Sequence, residues 1–172
     1  MAFAADPVMR WIWSTPLNYM AAWPRMVRYY GGQAFTCGSA SYAQDYCGAA
    51  LWLPPGVHPD QEPIVALIQS TVAAETQEEL FAFFEKMGQY TPTEPYWYLP
   101  IIGVDPIHQG KGYGSALVRH GLLAADRDHL PAYLEASNLR NVALYEQCGF
   151  DVIGTIQVGS SPSVYPMYRK AR

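Results

Sequence analysis

The stretch Gln109-Gly110-Lys111-Gly112-Tyr113-Gly114-Ser115 could do chemistry through its main chain. Its three glycines stand at alternate positions, between an apolar run over residues 98–104 and a helical run that follows. Glycines at such a junction can mark nothing more than a turn. Three of them leading directly into a helix expose consecutive backbone N–H groups at the helix N-terminus, and such groups bind anions. Spacing rules out two common phosphate motifs. A P-loop requires Gly-x-x-x-x-Gly-Lys-Ser/Thr, yet Gly110-Lys111 is followed by Gly112 and Asp105 stands where the first glycine should. A dinucleotide fingerprint requires Gly-x-Gly-x-x-Gly, and Gly110-x-Gly112-x-Gly114 is one residue short.

These residues need elements to position them. Asp6 before Pro7 reads as the cap of a short first helix. A second helix over residues 16–30 is stopped by Gly31-Gly32, and two strands over residues 35–43 and 46–53 flank a turn near Gln44-Asp45. Pro54-Pro55-Gly56 closes that hairpin. Residues 64–74 predict a helix. Thr76 and Glu79 predict a capping box for the next one, whose apolar stripe is Leu80, Phe83, Phe84 and Met87 and which ends near Gly88. After a linker over residues 91–95, residues 96–104 form a strand without polar alternation, hence central and covered on both faces. Leu117, Val118, Gly121, Leu122 and Ala125 give the helical stripe behind the glycines. A strand over residues 132–136, a helix over 138–148 ended by Gly149, and strands over 150–157 and 164–168 complete the chain. The fold class is α/β (α+β), a sheet with crossover helices.

The 172 residues suit one domain, and a 50% hydrophobic, 14% aromatic composition is globular. A net charge of −4 argues against a nucleic-acid partner. Cys37, Cys47 and Cys148 are odd in number and lie in no metal or redox spacing, which predicts reduced thiols in a cytoplasmic protein. His58, His108, His120 and His129 show no ligand spacing, so no metal is expected, and His108 is read as facing solvent. No apolar run reaches the ~20 residues of a membrane span, and the first residues lack the regions of a signal peptide.

Gln109-Gly110-Lys111-Gly112-Tyr113-Gly114 resembles the Gln/Arg-x-x-Gly-x-Gly/Ala loop of the GNAT superfamily of acetyl-CoA-dependent N-acyltransferases. Downstream, Asn138-Leu139-Arg140-Asn141-Val142-Ala143-Leu144-Tyr145-Glu146-Gln147-Cys148-Gly149-Phe150 is similar to that family's second signature, Asn…Leu-Tyr-x-x-x-Gly-Phe. Residues 96–170 look most like puromycin N-acetyltransferase and its relatives. The resemblance implies a GNAT-type mixed sheet, its central strands splayed into a V and flanked by helices. It also implies that the family's first strand is missing here, or that the recorded start lies downstream of the true one. The strand over residues 35–43 would then be an unpaired edge, open to a homodimer.

The same resemblance assigns roles. Backbone groups of residues 109–115 (Gln109, Gly110, Lys111, Gly112, Tyr113, Gly114 and Ser115) would grip the coenzyme A pyrophosphate. Lys111 and Arg140 are open to either an outlying phosphate or solvent. Ile102, Gly103 and Val104 would bond the pantetheine arm in the gap that Pro100 helps to open, with one freed N–H near Ile102 polarising the thioester carbonyl. Asn138 and Asn141 would contact the coenzyme, and one of them would cap the helix. Tyr145 would protonate the departing thiolate as an amine attacks directly. Tyr98 stands where several family members carry a glutamate. Glu135 is therefore the best carboxylate base, with a water relayed by Tyr98 or Glu135 as the working mechanism.

The acceptor implied is a small-molecule amine. The expected pocket is aromatic, drawn from Trp11, Trp13, Tyr19, Trp23, Tyr29, Tyr30, Trp52 and Tyr165. Two alternatives stand beside it: a non-catalytic acyl-coenzyme sensor with the same fold, and a longer acyl donor.

Overall fold

The Asp6 carboxylate accepts from the amides of Val8 and Met9 and so starts helix α1 (Pro7–Ile12) where the capping rule puts it. Thr15 does the same for α2 (Pro16–Gly31). Pro24 lies inside α2 on its exposed face, where water can satisfy the carbonyl that the missing N–H leaves open. The structure, a computed structural model, describes residues 2–172.

Beyond α2 the chain departs from the expected hairpin. Gly32 takes right-handed helical angles (φ −63°, ψ −26°), so helical structure resumes as α3 (Gln33–Thr36) instead of stopping. Of the strand expected over residues 35–43, only β1 (Ala40–Tyr42) forms and pairs with β2 (Gly48–Leu53), while Phe35 and Thr36 belong to α3. Helix α4 (Gln61–Thr71) begins and ends earlier than residues 64–74. The Thr76–Glu79 capping box does not form, because α5 (Ala74–Gly88) has already begun. Glu79 instead accepts from the amide and hydroxyl of Ser160 at 2.9 and 2.6 Å.

The second half follows the expected order: β3 (Trp97–Val104), α6 (Tyr113–Arg127), β4 (Ala132–Ala136), α7 (Leu139–Glu146), β5 (Asp151–Val152) and β6 (Tyr165–Arg169). The strand expected over residues 150–157 is reduced to β5. Its ladder to β6 ends at the Ile153–Pro166 bond, and Ile156 makes an isolated bridge to Val164.

The sheet runs β1-β2-β3-β4-β6-β5. Its pairs are antiparallel except β3–β4, which is parallel, with α6 as the crossover. No strand precedes β1 among the described residues, and β1 forms the sheet edge. Helices α6 and α7 cover one face over a core that includes Trp52, Val118, Leu134, Phe150 and Met167. Each such side chain contributes about 1.5–3 kcal/mol by leaving water. Ala34, Leu51, Leu53, Tyr98, Ile101 and Tyr133 form the cluster on the opposite face, against α2 and α3.

β3 and β4 pair only at Trp97–Ala132 and Tyr98–Tyr133. Beyond Tyr98 they part. On its other side β3 stays on β2 but slips register, with Leu53 opposite Tyr98 and Leu51 opposite Ile101. One extra β3 residue is thus accommodated beside Pro100, a residue that cannot donate to a ladder.

Candidate active site

Where β3 leaves β4, its free peptide groups face a gap. The Asp105 amide donates to the Cys47 carbonyl, and bonding to β2 alternates from there along the antiparallel ladder. Gly103 and Ile101 therefore bond β2, while Ile102 and Val104 turn their N–H and C=O towards the departed β4. The Gln109 side-chain amide confirms the direction by donating to the Val104 carbonyl at 3.1 Å.

The loop at the end of β3 has two glycines with left-handed backbone, Gly110 (φ 75°) and Gly112 (φ 84°). A Cβ at either would meet open space, so the backbone angle, not crowding, demands glycine there. Gly114 differs: a Cβ would lie 3.2 Å from Leu144, so its bareness lets α6 approach α7. Gly112 caps α6 without a side-chain hydrogen bond, which leaves the first-turn amides at Tyr113, Gly114 and Ser115 without intrahelical partners. Asn138 caps α7 through the Arg140 amide (2.9 Å), while Arg140 and Asn141 face the same space.

These groups line a cavity of about 710 Å³. Every sequence-predicted site residue borders it except Lys111, which is exposed outside it, and Tyr98, which reaches it only through Glu135. His108 also lines it, edge-on to Tyr113, rather than facing solvent. Coenzyme A fits this donor set. Its diphosphate is an anion for the uncapped α6 amides, and its arm carries amides for the peptide groups of Ile102 and the N–H of Val104, which face the gap.

Tyr145 and Glu135 reach the cavity from different faces of the sheet. Tyr145 is buried on the α7 side, edge-on to Phe150. Burial, and secondarily the charge of Asp6, pushes its hydroxyl well above the ordinary phenol range, so it keeps its proton at neutral pH. Glu135 lies on the α2 side. Tyr98 donates to it at 2.7 Å, and the Tyr30 and Tyr98 hydroxyls are 2.8 Å apart. Burial raises the Glu135 carboxyl to about 7, against the opposing pull of the Tyr98 and Tyr133 hydroxyls. Burial and the neighbouring Glu135 hold Tyr98 well above its usual value. Tyr98 is thus a donor that orients Glu135.

Sequence reading missed Asp6 and Ser137 as site residues. The second Asp6 oxygen accepts from the Ser137 hydroxyl just past the end of β4, and both residues line the cavity. The capping pattern explained Asp6 locally and gave no sign of a partner so far along the chain. The expected aromatic walls also change. Of the named set only Trp23 and Tyr30 line this cavity, while Trp13, Tyr19 and Trp52 are buried in the core. Met26, Phe83, Phe84 and Met87 stand in their place.

Comparison with known proteins agrees with this geometry. An uncharacterised N-acetyltransferase of Schizosaccharomyces pombe is 30% identical over 118 residues, 62% of this chain and 48% of that one. A mycothiol acetyltransferase of Propionibacterium freudenreichii is 39% identical over 66 residues, 37% of this chain and 21% of the relative. The chain thus spans less than half the length of these curated relatives. Among solved structures, the histone acetyltransferase HPA2 and related acetyltransferase from Corynebacterium glutamicum superposes with a TM-score of 0.66 at 24% identity, over 99% of this chain and 86% of that one. Arylalkylamine N-acetyltransferase 2 from Aedes aegypti gives a TM-score of 0.63 at 14% identity, over 100% and 90%. The Drosophila melanogaster polyamine N-acetyltransferase, an enzyme that forms N-acetylagmatine, gives 0.63 at 12%, over 98% and 90%. These likenesses show a shared fold. The model of the acetyltransferase (GNAT) family matches residues 36–150, and the chain belongs to that family.

Proposed function

We propose that this chain moves an acetyl group from acetyl-CoA to the primary amine of a small molecule. The observation that carries the reading is one cavity holding a carboxylate raised to about 7 on one face of a parted sheet and a protonated phenol on the other. Bound acetyl-CoA supplies an activated acyl thioester. Glu135, held by Tyr98, takes a proton from the incoming amine, and its raised pKa suits a base working near neutrality. The peptide N–H of Ile102 faces the gap as a donor for a carbonyl oxygen gaining charge. Tyr145 holds the proton for the leaving sulfur. The mechanism is direct transfer, with no acyl group placed on the protein. Lys111, outside the cavity, is left to solvent or an outlying phosphate.

The small-molecule acceptor draws support from structural neighbours that act on arylalkylamines and on polyamines. The free β1 edge could also pair with a second copy of the chain, which sedimentation at two concentrations would show.

The test is thiol release from acetyl-CoA over a panel of primary amines, with coenzyme A binding followed by thermal shift. Amine-dependent release with coenzyme stabilisation is expected. Stabilisation without release for any amine would assign a coenzyme sensor, and no stabilisation at millimolar coenzyme would end the proposal. Competition between acetyl- and longer acyl-coenzymes identifies the donor.

A further inference from the structure

We infer that the acceptor's body occupies a second cavity, beneath α4 and α5, and that the acceptor is a monoamine with a flat apolar body. This rests on the acetyl-transfer reading and extends it to the substrate. The cavity has a volume of about 360 Å³, within the usual range for small-molecule sites.

Its origin lies in the connection between two neighbouring strands. β2 and β3 are adjacent and antiparallel, yet the chain between them carries α4 and α5 rather than a tight turn. Those helices lie over a row of tyrosine rings on the α2 side of the sheet. Tyr96, Tyr98 and Tyr133 pack ring against ring there, with centroids 5.9–6.4 Å apart. Ile68 on α4 and Phe84 on α5 line the opposite side.

The two cavities share a wall that includes Glu135. Tyr30, Phe84, Met87 and Glu135 line both, so a molecule whose nitrogen reaches the carboxylate has its remaining atoms directed into the aromatic space. The coenzyme-facing groups border only the larger cavity, which gives the two substrates separate approaches.

Charge then narrows the class. Among the described lining residues Glu135 is the sole carboxylate, and His58 is the sole basic group. One anion answers one ammonium, and a second cation would find aromatic rings but no counter-charge. The rings favour an aryl or alkyl body and tolerate the single positive end through their faces. The buried Tyr133 hydroxyl lies beside Glu135 and helps to hold that carboxyl on the wall the two cavities share.

Gly88 offers a clean way to fill this space. It lines only the second cavity, closes α5 with ordinary backbone, and a Cβ there meets nothing within 4 Å. Gly88→Phe should therefore fold and plug the cavity. With 2-phenylethylamine its kcat/KM should fall about tenfold or more, with ethylamine less than about twofold. Coenzyme A affinity should not move. Wild type should favour 2-phenylethylamine over putrescine by about tenfold or more. Equal losses for both monoamines, no loss for either, or a preference for putrescine would overturn the inference while leaving acetyl transfer standing. If wild type acetylated no amine, the reading beneath it would fail instead. Calorimetric binding of 2-phenylethylamine to wild type and Gly88→Phe would still decide this site. Val65→Trp, from the opposite wall, checks that any loss comes from filling rather than from Gly88 itself.

Discussion

Around Gly112 the chain offers peptide N–H groups with no capping side chain; around Glu135 it offers a carboxylate fixed by tyrosines. The first region is made of neighbouring residues in one strand–loop–helix unit, and its chemistry is main-chain chemistry. The second draws side chains from α2, β3, β4 and α5, and its chemistry depends on burial. A common coenzyme can be held by the first kind of construction with few constraints on side chains. On the proposed reading the second selects the acceptor, and there each side chain is a separate variable.

The largest effect should fall between the two regions. Tyr145→Phe should lower kcat by roughly 10²–10⁴ with little change in coenzyme affinity. Turnover like wild type would remove Tyr145 from the chemistry. Next, Glu135→Gln should lower kcat by about a hundredfold and abolish the rise in rate centred near pH 7. A preserved pH–rate limb would give the base to another group.

The same carboxyl has a stability signature of opposite sense. Its pKa is higher in the folded chain, near 7 against 4.5 as an ordinary glutamate, so the folded state holds the proton more tightly. That contribution is complete below about pH 4.5 and lost as pH climbs through about 7. Denaturant titrations should show wild type losing on the order of 1–3 kcal/mol relative to Glu135→Gln across this window. A constant difference would contradict the buried placement.

Smaller effects separate the two constructions. Gly112→Ala forces a Cβ into left-handed backbone at about 1 kcal/mol and should weaken coenzyme binding about fivefold, sparing the acceptor KM. An equal effect on both ligands would break the division between regions. Tyr98→Phe should be the mildest. It removes a hydroxyl that lowers the Glu135 pKa, so the rate limb should move to higher pH with its height nearly kept. A limb moving to lower pH would reverse the assigned role.

The sequence exposed these regions unequally, for a physical reason. The glycine loop, the apolar β3 and the Asn138-to-Phe150 segment carry local signals, because glycine angles, capping and helix periodicity act over a few residues. The parted strands were foreshadowed by Pro100. Glu135 could be nominated, but its Tyr98 and Tyr30 partners depend on tertiary packing. Asp6 looked like a cap and is one, and its bond to Ser137 spans 131 residues. Phe35 lies in a helical turn, with 69% of its surface exposed, because Gly32 can adopt helical angles as readily as any other residue. Two of the four tryptophans named for the acceptor, Trp13 and Trp52, went to the core, since large rings gain most from complete burial.

The outward-turned peptide groups of Ile102 and Val104 carry a consequence for how such a chain can drift. A peptide bond is the same whatever residue bears it, so substitutions along that stretch that preserve the extended backbone leave donor and acceptor where they were. The peptide groups would survive many substitutions there, although Ile102 and Val104 also pack on the core and Gly103 has no room for a Cβ, whereas Gly110 and Gly112 are held to glycine by backbone angle alone. If the proposed division holds, evolution can re-tailor the aromatic chamber for new amines without renegotiating the grip on the coenzyme.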